Sequence, residues 1–314
     1  VTRSQSGKQG LTGAPADPAL DDLTTEAGGD PQADYDLRST LELVGLMRAT
    51  DEAVLPAVAR AESEIAAAID AIAERLAGSG RLIYVGAGSS GRIAALDAAE
   101  CQATFSTAPG QIVALVAGGM STSPLVQEAA EDDREGGADD IRALGVRADD
   151  AVVGISASGR TPYVVGAIDG ARDAGAWTAG IVSVDGSELG RLVDLEIALV
   201  VGPEFLAGST RLKAGTAQKI VLNAISTIAM IRLGKTFGSL MVDVVAANEK
   251  LRARVARIVR AATGASAEEA EEALQAAGGN AKVAIVSLLA EVEAEEARAR
   301  LAATGDNVRL ALEP

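Results

Sequence analysis

The sequence predicts an α/β fold: a five-stranded parallel sheet between helical layers, two helices before it and a small helical module after it. Three observations lead there. Five β-rich runs alternate with helical stretches, the pattern of βαβ units: RLIYVGA (81–87), QIVALVA (111–117), AVVGISA (151–157), WTAGIVSV (177–184) and DLEIALVV (194–201). The runs are almost continuously apolar, as strands covered on both faces must be. The first and third each end in a loop of glycine and serine, GAGSSG and SASGRT, at the point where a helix begins.

In chain order, residues 1–35 are rich in Gly, Pro, Asp, Ser and Thr and lack periodicity, so a weakly ordered arm is expected. From Ser39 the apolar spacing turns helical, and residues 36–78 are read as two helices, the second ending at Gly78 or Gly80. Residues 79–245 form the α/β domain, with a long helix near Arg211 to Leu233 after the fifth strand. Residues 246–314 form the helical module, its short Ala/Glu-rich helices broken at Gly278-Gly279. No long-range repeat is visible.

Composition removes several function classes. The 314 residues contain no His and one Cys, Cys101, so a Ser-His-Asp triad, an H-E-x-x-H zinc site, a multi-Cys zinc site and an intrachain disulfide are all excluded. Proton transfer falls to Glu, Asp, Lys, Tyr, Cys101 or water. With 28 basic against 44 acidic residues the net charge is −16, a poor match for nucleic acid. No apolar run approaches the ~20 residues of a membrane span. The opening VTRSQSGKQG has no apolar secretory stretch, and a cytoplasmic protein is expected. The acidic run EDDREGGADD lacks the spacing of a calcium loop and reads as a solvated surface.

The loop G86-A-G88-S-S-G91 fits the spacing of dinucleotide-binding turns. Such a turn needs a carboxylate at the end of the second strand to hold the ribose hydroxyls. That strand ends VALVAGGMSTS, and the next acid is Glu128. The same turn can instead present N–H groups and the hydroxyls of Ser89 and Ser90 to a phosphate at a helix N-terminus. The loop S156-A-S158-G-R-T161-P supplies three further hydroxyls. Each loop alone reads as ordinary helix capping. Two, at strand ends of one parallel sheet, point to a phosphate site of Ser89, Ser90, Gly91, Ser156, Ser158, Gly159 and Thr161.

These loops resemble those of the sugar isomerase (SIS) family of phosphosugar-binding domains. GAGSSGR, LDAAEC, EDDREGG, SASGRTPYV, GSTRLKAGTAQK and LMVDVVAANEKL also run in the order and spacing of the N-acetylmuramic acid 6-phosphate etherases within it, over roughly residues 36–314. One departure is Gln102-Ala103, where that family usually has Pro-Pro. The resemblance implies an SIS-type three-layer α/β/α sandwich and a homodimer with sites near the subunit interface. It implies cleavage of the D-lactyl ether of N-acetylmuramic acid 6-phosphate by elimination and then hydration, in cell-wall sugar recycling, with no cofactor and no metal. The alternatives on this fold are a phosphosugar-sensing regulatory protein that binds without cleaving, and an aldose–ketose phosphosugar isomerase.

By resemblance, Glu100 falls on the proton donor, protonating the departing lactate oxygen and then activating water. Glu131 falls on the family's other essential Glu and is assigned C2 proton abstraction. Glu128, Asp132 and Glu135 share much of its helical face, and composition does not separate them. Asp97 shares a face with Glu100 but stays outside the catalytic set. Cys101 reads as a small buried hydrophobe. Arg160 contacts the phosphate or merely starts its helix. Arg211, Lys213 and Lys219 either neutralise substrate charge or pair with nearby acids.

Overall fold

The computed structural model describes residues 34–120, 124–243 and 249–313. The expected arm, apart from its last two residues, lies outside the described residues, as does the middle of LMVDVVAANEKL.

A 3-10 turn at Tyr35–Leu37 leads to α1 (Thr40–Asp51), α2 (Val54–Arg60) and α3 (Glu62–Ala77). Ser39 and Glu42 form a reciprocal capping box that starts α1. Three helices stand where two were expected. The chain turns at Glu52–Ala53 and again at Ala61, where φ is −102° and ψ 13°. Pro56, in the first turn of α2, has no N–H for the Glu52 carbonyl and marks the first break, whereas the break at Ala61 carries no Gly or Pro. α3 ends before Gly78, as expected.

The sheet comprises β1 (Leu82–Gly86), β2 (Ile112–Val116), β3 (Ala151–Ile155), β4 (Trp177–Val182) and β5 (Leu195–Ala198), all parallel, in the order β2-β1-β3-β4-β5. All five lie inside the runs read from sequence. Alternate side chains enter two cores. Leu82, Tyr84, Val153, Ile155, Ile181 and Ile197 pack with α3, with α4 (Gly88–Phe105) and with α9 (Lys213–Arg232). On the other face Ile83, Val85, Val152 and Val182 pack against α6 (Arg134–Leu144), α7 (Pro162–Asp173) and α8 (Glu188–Leu192). Both faces are covered, which is why the strands read as unbroken apolar runs. Helix α5 (Pro124–Glu131) bridges α4 and α7. The three-layer α/β/α sandwich of the sequence reading is the observed fold.

α9 is long and apolar enough to cross a membrane by length and composition alone. Here it is a core helix, burying Ala214, Ala217, Val221, Leu222, Ile225 and Ala229. A short hairpin follows, β6 (Thr236–Phe237) and β7 (Leu240–Met241). The last part holds α10 (Glu249–Thr263), α11 (Ala267–Ala276), α12 (Ala281–Ala290), α13 (Ala294–Ala303) and α14 (Val308–Ala311) around a separate apolar cluster. Gly278 and Gly279, with φ of 65° and 83°, break α11 from α12, as their sequence predicts.

A buried cation ties this module to the hairpin. The Lys282 side chain is 1% exposed, and Nζ lies 2.7 Å from carboxylate oxygens of both Asp243 and Asp306. Asp243 also meets Lys235 at 3.0 Å. Replacing Lys282 by Met leaves Asp243 one partner and Asp306 half exposed. The expected cost is therefore roughly 2–3 kcal/mol, below that of a fully buried pair. Urea unfolding of the variant measures it.

Candidate active site

In the order β2-β1-β3, the connections leave β1 and β3 in opposite directions, opening a crevice at their C-terminal ends where open α/β sheets take ligands. Both Ser/Gly loops sit there. A cavity of about 220 Å³ is lined by Gly88, Ser89, Ser90, Ser156, Ser158 and Thr161, together with Glu131, Thr210 and apolar Ala87, Ile155 and Ala157. The structure thus brings five of the seven expected phosphate-site residues onto one wall, with one of the two candidate carboxylates beside them.

Gly91 and Gly159 shape this wall from behind. A Cβ on Gly91 would lie 2.6 Å from the Gly86 carbonyl oxygen and 2.8 Å from Val116, so only Gly lets α4 leave so close to β1. Gly159 has φ of 64°, and a Cβ there would meet Ser187 at 2.3 Å. The turn places the Gly159 N–H on Ser156 Oγ at 3.1 Å and the Arg160 N–H on Ser158 Oγ at 3.3 Å. Ser156 Oγ lies 2.8 Å from Thr161 Oγ1.

Glu131 ends α5 with its Oε2 3.9 Å from the position of a Cβ on Gly88. It is half-buried, and Thr161 hydrogen-bonds it. Burial raises its carboxyl above the ordinary range, and Asp132 and Glu128 add to the shift. Thr161 and Arg92 act against it. Glu128, Asp132 and Glu135 are exposed and do not line the cavity, so the structure separates Glu131 from the neighbours that composition could not.

Glu100 lies elsewhere. It is exposed and lines a second cavity of about 430 Å³ with Asp97, Cys101, Thr104, Asn223, Ile231 and the β6–β7 hairpin. Beneath it Asp97 accepts hydrogen bonds from Tyr84 Oη (3.2 Å), Asn223 Nδ2 (3.0 Å) and Ser226 Oγ (3.1 Å). Burial raises the Asp97 carboxyl despite these donors. Burial, with Asp97 nearby, pushes the Cys101 thiol up to about 11, as suits a buried small hydrophobe.

The cations of GSTRLKAGTAQK do not reach the cavity wall. Lys213 is buried and donates from Nζ to the Val201 carbonyl at 2.9 Å. Lys219 donates to Asn223 Oδ1 at 2.7 Å. Arg160 and Arg211 are exposed. What this segment brings to the cavity is Thr210. Its hydroxyl is overlooked in a sequence reading that looks only for charge. Glu204 holds the segment in place by accepting from the Lys213 and Ala214 N–H groups at 3.0 and 2.9 Å, an acid at the positive end of α9.

Comparison with known proteins extends this picture to most of the chain. Residues 64–172 match the glucokinase regulatory protein N-terminal SIS domain, and residues 134–228 match the SIS domain. N-acetylmuramic acid 6-phosphate etherase of Rubrobacter xylanophilus is 55% identical over 88% of this chain and 92% of its own. The protein of that name from Streptomyces coelicolor is 52% identical over 93% and 94%. That from Escherichia coli O81 is 49% identical over 94% and 99%. This chain belongs to the N-acetylmuramic acid 6-phosphate etherase family.

Proposed function

We propose that this protein cleaves the lactyl ether of N-acetylmuramic acid 6-phosphate, giving N-acetylglucosamine 6-phosphate and D-lactate in the recycling of cell-wall sugars. The observation that carries the reading is similarity to etherases over most of a chain whose Glu131 shares one cavity with both hydroxyl-rich loops. The match to a regulatory SIS domain spans only residues 64–172, whereas the etherase similarity covers 94% of this chain.

The loops hold the 6-phosphate through hydroxyls and N–H groups at the start of α4. When the sugar ring opens, the C1 aldehyde acidifies the C2 proton. Glu131, its carboxyl raised by burial and close to the anchored phosphate, removes it. The C3–O bond breaks, the lactate oxygen takes a proton from an acid, and water adds to the resulting double bond at C3 as a proton returns to C2.

Glu100 is that acid, and it acts on the site of a second copy. From Ser89 to Glu100 is about 16 Å along α4, at 1.5 Å per residue. C3 of the sugar is five bonds from phosphorus, roughly 7 Å at full stretch. Glu100 and the phosphate loops of one chain therefore do not meet on one substrate. The face around Glu100 carries exposed Leu96, Ile228 and Ile231, and α1 buries no residue while displaying Leu41 and Val44. A homodimer covers this surface and carries Glu100 to the partner's cavity. The protein works in the cytoplasm, where a charged sugar phosphate is retained.

The test is D-lactate release from N-acetylmuramic acid 6-phosphate with EDTA present. Stoichiometric release is expected. A folded protein that binds the sugar phosphate and releases no lactate would shift the reading to a sensor.

A further inference from the structure

We propose that Gln218 is a positioning residue that sets the direction of the Ser90 hydroxyl, and through it decides whether the first loop offers the anion a proton. The inference rests on the cavity being the phosphate site.

Among the described residues no Lys or Arg lines that cavity, so an anion there depends on neutral donors. Each hydroxyl has a single proton to give. In the second loop the backbone has settled the matter. Ser158 accepts from the Arg160 N–H, which leaves its own proton to donate to the anion, while Ser156 accepts from the Gly159 N–H and shares a 2.8 Å hydrogen bond with Thr161 Oγ1. The first loop is arranged the other way. Ser90 Oγ donates to Gln218 Oε1 at 2.9 Å, so its proton is committed to α9 and only lone pairs face the cavity. Lone pairs repel a phosphate.

The other end of the amide supplies the remedy. Gln218 is 1% exposed, and its Nε2 is buried with no hydrogen-bond partner among the described residues. Such an orphan donor is costly. A half-turn of the amide exchanges Oε1 and Nε2 in the same space. Nε2 then donates to Ser90 Oγ, and the Ser90 proton swings to the anion. The new bond ends on a charge and is stronger than the one it replaces. Bound phosphate and the turned amide therefore favour each other, and Gln218 acts only through Ser90.

The experiment titrates inorganic phosphate calorimetrically into the full chain as wild type, Gln218→Met, Ser90→Ala and the double variant. D-Lactate kinetics and thermal unfolding are followed alongside. Met fills the space without a donor or acceptor. Gln218→Met is expected to weaken phosphate binding about tenfold and raise KM similarly, with kcat within about threefold of wild type. Its melting temperature should equal or exceed that of wild type, because the orphan N–H is gone. The double variant should bind like Ser90→Ala alone. Wild-type affinity in Gln218→Met, or multiplied losses in the double variant, would overturn the proposal. If Gln218→Met does not fold, Gln218→Asn retains the amide out of reach of Ser90 and should show the same tenfold loss. Lactate release by a wild type that binds no phosphate would overturn the anion site, and the role of Gln218 with it.

Discussion

Glu131→Gln is expected to lower kcat for lactate release about a thousandfold while leaving phosphate affinity close to wild type. The amide keeps the shape and can still meet Thr161, but it cannot take the C2 proton. Glutamine at Glu128 or Glu135 should leave kcat within about threefold, since both side chains are exposed away from the cavity. Stopped assays across pH add a signature. The base must be ionised, so kcat/KM falls as pH drops through the raised Glu131 value, and this acid limb disappears in the Gln variant. Stability moves oppositely. With its carboxyl raised by burial, Glu131 holds its proton in the native state after the unfolded chain has lost it. In that window the native protein binds more protons, so stability falls as pH rises from the unfolded to the native value. Glu131→Gln escapes this loss and should melt at or above the wild-type temperature at neutral pH. A variant that is both less active and less stable there would contradict the assignment.

The second large effect is a recovery. Glu100→Gln and Glu131→Gln should each be nearly inactive as pure proteins. Mixed in equal amounts, unfolded and refolded together, they should regain about one quarter of wild-type activity. Half of randomly assorted dimers are mixed, and one site in each mixed dimer has both intact carboxylates. If Glu100 and Glu131 of one chain served one substrate, every site in the mixture would lack a carboxylate and nothing would return. Size-exclusion chromatography of the mixture confirms that dimers have formed.

The strands were legible because burial on both faces writes them as unbroken apolar runs, from Leu82–Gly86 through Leu195–Ala198. The break at Ala61 was not, because nothing local opposes a continuing helix there; the break at Glu52–Ala53 was legible in Pro56, which cannot donate to the Glu52 carbonyl, but the apolar spacing runs through it and masks it. The Ser/Gly loops announced their meeting through their position after β1 and β3. Thr210 and Gln218 could not, because they are ordinary residues that arrive from a distant segment, one in the turn before α9 and one on it: Gln218 lies 128 positions from the Ser90 it touches. The placement of Glu100 was hidden for another reason. Its number of turns along α4 is readable, but whether that helix serves its own cavity or, as proposed, a second copy's depends on assembly, which no residue pattern within one chain spells out.

Walling the cavity with hydroxyls and amides, in a chain of net charge −16, has a kinetic consequence. The long-range field of the protein opposes an approaching sugar phosphate, while the contacts that hold it act only at hydrogen-bond range. Dissolved salt screens the repulsion and leaves the short contacts nearly untouched. Ionic strength therefore speeds capture here, the reverse of its action on enzymes that draw in phosphates with a basic funnel.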